Sequence, residues 1–172
     1  TAGAVGATAG GSGRGLDMHF DPVAYGARDS LALFIWCADY SEAGGSSSAF
    51  DIQASDLSTR LRQNDVGNLQ ARVNAAGNQT KTAITGIAGF RCVSRTAAAV
   101  TTFYGPEGTS LGVDTVPSAA PSATAVYMFA PISGSTSGRR LQVAGIAEGL
   151  IAGEVLALRG ALATLGSAFW LM

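Results

Sequence analysis

Lysine, histidine and cysteine are almost missing from this 172-residue sequence, and each scarcity closes off a chemistry. One lysine, Lys81, stands against ten arginines, and no motif around it supports Schiff-base or phosphate-cradling work. The only histidine is His19, and the two cysteines, Cys37 and Cys92, form no CxxC pair, so no zinc site is expected. A serine–histidine catalyst would have to use His19, but no GxSxG elbow supplies the nucleophile. His19 lies in LDMHFDP on an apparent early strand, where a structural histidine is the simpler expectation. There are four glutamates, Glu42, Glu107, Glu148 and Glu154, three of them in apparent turns or at a helix start. No strand sets alternate acids on one face, as glycoside hydrolysis would require. Asp17, Asp21, Asp29, Asp39 and Asp51 are scattered near strand ends without a DxDxDG calcium loop. The glycines of GGSGRG precede the first strand instead of following one, so they lack the context of a phosphate loop. No enzyme, cofactor or metal is expected.

Charge is sparse as well. Lys plus Arg is 11 and Asp plus Glu is 12, a formal net charge of −1, which excludes the basic excess of a nucleic-acid binder. Charged residues make up 13% and hydrophobic ones 47%, a balance that can build a core and argues against disorder. The length suits one domain able to bury a core without disulfide staples. The opening TAGAVGATAGGSGRG has neither the basic start nor the apolar centre of a secretory leader. Residues 1–15 read as a flexible Gly/Ala-rich lead, with a domain over 16–172. Leu150 to Met172 is apolar, but Glu154 and Arg159 interrupt it, each at about 2.5–3.5 kcal/mol near a bilayer centre. Gly160 to Met172 alone is too short to span. No membrane insertion is expected.

What the sequence has in plenty is alanine (31) and glycine (23), set among Ser, Thr and Val, a mixture that suits strands and turns. Leu31 to Cys37 (LALFIWC) is an unbroken apolar run, as for a strand covered on both faces. Leu57 to Arg62 and Leu69 to Asn74 alternate. The first puts Leu57, Thr59 and Leu61 inward; the second puts Leu69, Ala71 and Val73 inward and Gln70, Arg72 and Asn74 outward. With 63–67 as the turn they form an antiparallel hairpin. Further strands fall at Thr80 to Thr85, Gly89 to Ser94, Val100 to Tyr104, Ala125 to Ala130 and Leu141 to Ala147, with a turn at Gly105-Pro106-Glu107-Gly108. About nine closely spaced strands leave no room for crossover helices, so the expected fold is all-β: an antiparallel β-sandwich of jelly-roll, lectin-like type. Val155, Leu158, Leu162, Leu165 and Phe169 give one short C-terminal helix, from about Ala152 to Leu165, ended by Gly166. Cys37 and Cys92 read as buried thiols, with a disulfide as the alternative.

The hairpin carries the one surface constellation with binding chemistry: Arg60, Arg62, Asn64, Asn68, Gln70, Arg72 and Asn74. Alternation puts Arg60, Arg62, Gln70 and Arg72 on one side, where guanidiniums and amides suit the hydroxyls and carboxylates of acidic saccharides. An ordinary solvated sheet face is the alternative. Trp36, Tyr40, Tyr104 and Tyr127 are the aromatics that a sugar could stack on, although Trp36 sits in a core strand.

From Leu16 to Leu165 the chain resembles the concanavalin-A-like, laminin-G-type sandwich domains of tailed-phage and related virion proteins. The residues behind the resemblance are LDMHFDP, LALFIWC, STRLRQNDVGNLQARVN, GFRCVSRTAAAVTTFYGPEGTSLG, SAAPSATAVYMFAPISGS and RRLQVAGIAEGLIAGEVLALRGALATL. The last is the most specific, a strand, a short link and a Glu-led helix. It departs from the family at Ile151, where a capping Ser or Thr is usual. The resemblance implies a module on the virion surface, in a tail fibre, spike or head decoration. Its implied partners are other virion subunits, further copies of itself in a homo-oligomer, and a host-surface polysaccharide. A purely structural decoration module is the alternative. Because the matching motifs are structural, no binding residue carries over.

Overall fold

The computed structural model describes residues 7–8, 16–26, 28–40, 51–54, 58–63, 68–81, 88–121, 124–128 and 139–169. Among these, the strands in chain order are β1 (Ala7–Thr8), β2 (Leu16–Asp17), β3 (Leu31–Tyr40), β4 (Ile52–Ala54), β5 (Thr59–Gln63) and β6 (Leu69–Val73). They continue with β7 (Gln79–Lys81), β8 (Gly89–Ala97), β9 (Val100–Tyr104), β10 (Ser110–Asp114), β11 (Val126–Met128) and β12 (Arg139–Ala147), before helix α1 (Ala152–Phe169). They form two antiparallel six-stranded sheets: β1-β12-β3-β8-β9-β10, here the first sheet, and β2-β11-β4-β5-β6-β7, the second. The fold is an antiparallel β-sandwich with one C-terminal helix. The expected hairpin forms with β5 against β6, in the register Thr59↔Val73, Arg60↔Arg72, Leu61↔Ala71, Arg62↔Gln70 and Gln63↔Leu69. Leu57 and Asn64 lie outside the described residues, as does most of the lead. Within the lead, Ala7 and Thr8 pair with Leu141 and Arg140.

β3 shows why the central run is apolar at every position. Leu31, Leu33, Ile35 and Cys37 point between the sheets and join Ile52, Leu61, Leu69, Val73, Val93 and Phe103 in the main core. Ala32, Phe34 and Trp36 point the other way, into a second core with Phe90, Cys92, Tyr104 and Val155 of α1. The layers are therefore sheet, sheet and helix. Gly145 sits opposite Phe34 in the β12–β3 register, where a Cβ would lie 2.2 Å from the Phe34 ring. Only glycine leaves that ring room to lie across β12. The cysteines belong to different cores, Cys37 to the main one and Cys92 to the one under the helix, and neither is in a disulfide. Side chains on opposite faces of a sheet cannot meet in a disulfide.

The helix differs from its expectation at both ends. Ile151 acts as the N-cap: its carbonyl accepts from Val155 N–H at 3.0 Å, and Glu154 Oε2 reaches back to its N–H at 2.9 Å. Half of a capping box thus forms without the hydroxyl. At the other end Gly166 does not stop the helix, which runs on to Phe169. The apolar stripe is also narrower than expected, because Val155 is buried, Leu158 and Leu162 are half-buried, and Leu165 is 50% exposed.

Alternation along β8 sends Phe90, Cys92 and Ser94 towards the helix and Arg91, Val93 and Arg95 between the sheets. Both arginines are 0% exposed. Arg95 donates to carbonyls of Val73 (2.6 Å), Ala98 (2.9 Å) and Val116 (3.1 Å), tying the first sheet to the end of the second. Burial lowers its pKa, and Asp29 partly offsets that. Five-donor guanidiniums can satisfy several loop carbonyls at once, which makes them suitable closures for the end of a sandwich.

Candidate functional site

The outer face of the second sheet gathers the four arginine-hairpin residues. Because Leu61, Ala71 and Val73 are fully buried in the core, their alternates Arg60, Arg62, Gln70 and Arg72 share the opposite face. Arg62 Nε donates to Gln70 Oε1 at 2.8 Å across the strand pair. Arg60 donates from Nε (2.9 Å) and Nη2 (2.6 Å) to Asn78 Oδ1. These bonds hold two of the guanidiniums in fixed planes. Asn74, expected outward, turns in instead: it has a positive φ of 48°, is fully buried, and bonds Thr59 Oγ1 (3.0 Å) and the Arg28 carbonyl (3.1 Å). An asparagine tolerates that left-handed backbone and ends the strand there. Asn68 is half-buried just before β6.

Register extends the face across the sheet. Asp17 pairs with Tyr127, Tyr127 with Gln53, Gln53 with Arg60, and Arg60 with Arg72. Four strand steps of about 4.8 Å make this row ~19 Å long, enough for several sugar rings. Gln53 and Arg60 are only 4% and 8% exposed, so the middle of the row is recessed. Tyr127, Arg62, Gln70 and Arg72 are half-buried around it. Desolvation, then the neighbouring Arg72 and Arg62 guanidiniums, pull the Arg60 pKa down to about 10, so it remains charged at neutral pH. Like charges crowded in a recess are stabilised by an anion, and fixed guanidinium planes suit a carboxylate. Gln53 and Asn78 escaped the sequence reading. The three-residue β4 is too short to show alternation, and Asn78 falls in the turn before β7.

The remaining candidates stand elsewhere. Of the stacking aromatics, Trp36 and Tyr104 are packed in the core under the helix, and Tyr127 alone lies on the arginine face; the Tyr40 side chain lies outside the described residues. His19 follows β2 in a left-handed conformation (φ 50°) and does not lie on a strand. Its side chain is almost fully exposed near Asp17. Lys81 pairs with Asp114 where β7 and β10 end their sheets, and it also lies over the Phe103 ring. Glu107 pairs with Arg159 at 2.5 Å, while Glu154 caps the helix. Among the described residues no three His, Cys, Asp or Glu gather as a metal site would need, and no helix is long and apolar enough to cross a membrane.

No protein-family model matches this sequence, and neither does any curated protein. Solved structures do. Domain 4 of an extracellular GH43 arabinanase from Geobacillus stearothermophilus, solved with arabinotriose, has a TM-score of 0.55 at 14% identity; the match covers 76% of this chain and 66% of that one. The CBM40 of the Ruminococcus gnavus IT-sialidase has a TM-score of 0.58 at 12% identity, covering 90% of this chain and 96% of that one. What they share is the β-sandwich fold. The first holds arabinotriose, and the second is a CBM40.

Proposed function

We propose that this chain is a non-catalytic glycan-binding module that takes an acidic saccharide on the outer face of the second sheet. The observation that carries this reading is the row Tyr127, Gln53, Arg60, Arg72 flanked by Arg62 and Gln70: an aromatic ring, two amides and three guanidiniums on one recessed face. Arginines at neutral pH bind anions and hydroxyls but transfer no protons, which suits recognition without hydrolysis. The fold shared with an arabinanase domain and a sialidase module supports the same class of ligand. The sequence resemblance to virion sandwich domains supports a setting on a virion surface, among other subunits and copies of itself, facing a host polysaccharide.

A glycan array followed by calorimetry with trigalacturonate tests the binding. Replacing Arg60 and Arg72 together by Ala should weaken an acidic ligand at least tenfold while the thermal melt stays within a few degrees. Unchanged affinity would remove the site from this face. Antibody labelling of particles in electron micrographs tests the setting, and bare particles would overturn it. A second reading, a decoration module without ligand, draws on Leu111 and Val113, exposed apolar residues on β10 at the end of the first sheet. Silence on the array with a stable oligomer in sedimentation would favour it.

A further inference from the structure

A second recess lies away from the arginines, where the loop after β2 passes the start of β3 and the end of β12. Its volume is about 370 Å³, near the lower end of the ~300–1,000 Å³ range of ligand pockets. Leu31 and Ile146 are among its lining residues, Ser30 and Glu148 supply polar groups, and Phe20 and Tyr25 form an aromatic wall. The two rings stack with centroids 5.1 Å apart and planes 13° from parallel. Tyr25 is nevertheless 73% exposed, so one face of its ring rests on Phe20 while much of the side chain meets solvent.

The loop that presents Tyr25 is built to hold it. Asp21 Oδ1 accepts the N–H groups of Val23 (2.9 Å) and Ala24 (3.2 Å), and Gly26 N–H closes on the Val23 carbonyl at 3.0 Å. Asp–Pro followed by this side-chain-to-backbone turn fixes the segment locally. Ser30 Oγ accepts Gly149 N–H at 3.0 Å, pinning the link just beyond Glu148 to the start of β3. A largely exposed aromatic ring, backed by Phe20 and lining the same recess as the Glu148 carboxylate, has a definite chemical complement. The ring takes the apolar C–H face of a sugar, and the carboxylate accepts hydroxyl hydrogens.

We propose that this recess is a second saccharide site, selective for a neutral sugar. Tyr25 stacks on the ring face and Glu148 accepts its hydroxyls. The Glu148 carboxylate repels the uronates and other acidic sugars that the arginine face attracts, so the two sites differ in charge preference. This goes beyond the acidic-ligand reading and stands or falls separately from it.

The test is protein-observed NMR titration with arabinotriose and cellotriose as neutral probes and trigalacturonate as the acidic one. A neutral trisaccharide should shift the amides of Ser30, Ala147 and Glu148 and leave those of Arg60 and Arg72 in place. Tyr25→Ala should weaken it about tenfold, Tyr25→Phe should retain most of the affinity, and Glu148→Gln should lose a few-fold. Because Tyr25 is exposed, an unchanged amide spectrum elsewhere verifies the fold. No shift at these amides with either neutral probe at millimolar concentration would overturn the proposal. So would equal affinity in Tyr25→Ala, or trigalacturonate binding here as strongly as the neutral sugars.

Discussion

The two outer faces of this sandwich use the same strand geometry for opposite ends. On the first sheet, Phe34, Trp36, Phe90, Cys92 and Tyr104 face outward and are sealed by α1. On the second sheet the outward residues are Tyr127, Gln53, Arg60, Arg62, Gln70 and Arg72, a polar surface that forms no apolar core among the described residues. A face built of aromatics needs a cover to leave water, and the C-terminal helix supplies it. A face built of guanidiniums and amides can stay wet, and it holds its shape through cross-strand bonds such as Arg62 to Gln70. The packing that stabilises the fold and the proposed recognition thus fall on different faces. That division can be broken or sharpened residue by residue.

The largest effect belongs to the covered face. Phe90 is fully buried against Phe34 and Trp36, with ring centroids 6.5 and 6.2 Å away. Phe90→Ala should cost about 3–5 kcal/mol, seen as a lower midpoint in urea unfolding. Arg62→Ala on the open face should stay within about 1 kcal/mol of the parent by the same measurement. Equal losses would show that both faces are structural.

Alkaline pH separates the faces next. Burial pushes the Cys92 thiol from its ordinary 9.0 up to about 12. Below pH 9 neither the folded nor the unfolded chain ionises it, so its contribution to stability is complete there. Between pH 9 and 12 only the unfolded chain releases the proton, and stability falls as pH rises. At about 1.4 kcal/mol per unit, the loss at pH 11 is on the order of 2–3 kcal/mol. Cys92→Ala should therefore show a flatter decline of melting temperature from pH 9 to 11 than the parent. Parallel declines would place the thiol in contact with water. In native conditions both cysteines should resist a thiol reagent, and rapid labelling would contradict their burial.

How much of this was legible in the sequence varies with the length of the pattern. The seven residues Leu31 to Cys37 of β3 and the hairpin β5–β6 announce themselves through an unbroken apolar run and clean alternation. The four-residue set Arg60, Arg62, Gln70 and Arg72 falls on one face for that reason alone. Patterns of two or three residues, as in β1, β2 and β4, are too short to show a period. The buried arginines were invisible for another reason. In GFRCVSRTA, alternation reads equally well with Phe and Cys inward, because both faces of β8 are buried, and nothing local shows that Arg91 and Arg95 are buried or that Arg95 ties the sheets together. Ile151 as an N-cap and the helix beyond Gly166 are likewise tertiary results, where packing overrides local preference.

The helix that covers the aromatic face gives the next measure of how that cover works. Leu158 and Leu162 are half-buried against the second core, so Leu162→Ala should cost about 1–3 kcal/mol, below the usual range for a fully buried leucine. A thermal melt identical to the parent would mean the stripe is not held against the sheet.

The smallest effect runs in the stabilising direction. Gly160 lies in the interior of α1 on an exposed position, and a Cβ there would meet nothing within 4 Å. Its φ is not in the left-handed region, so alanine can take the same backbone without strain. Gly160→Ala removes unfolded-state freedom and raises helix propensity, and should add about 0.4–1 kcal/mol. A gain of that size would show that α1 tolerates its glycine because burial of Val155, Leu158 and Leu162 holds it in place. It should leave the proposed sugar binding on the other sheet unchanged, since α1 packs on the outer face of the first sheet. A loss of stability would instead mean that Gly160 lies against something, and that the exposed side of the helix is itself covered.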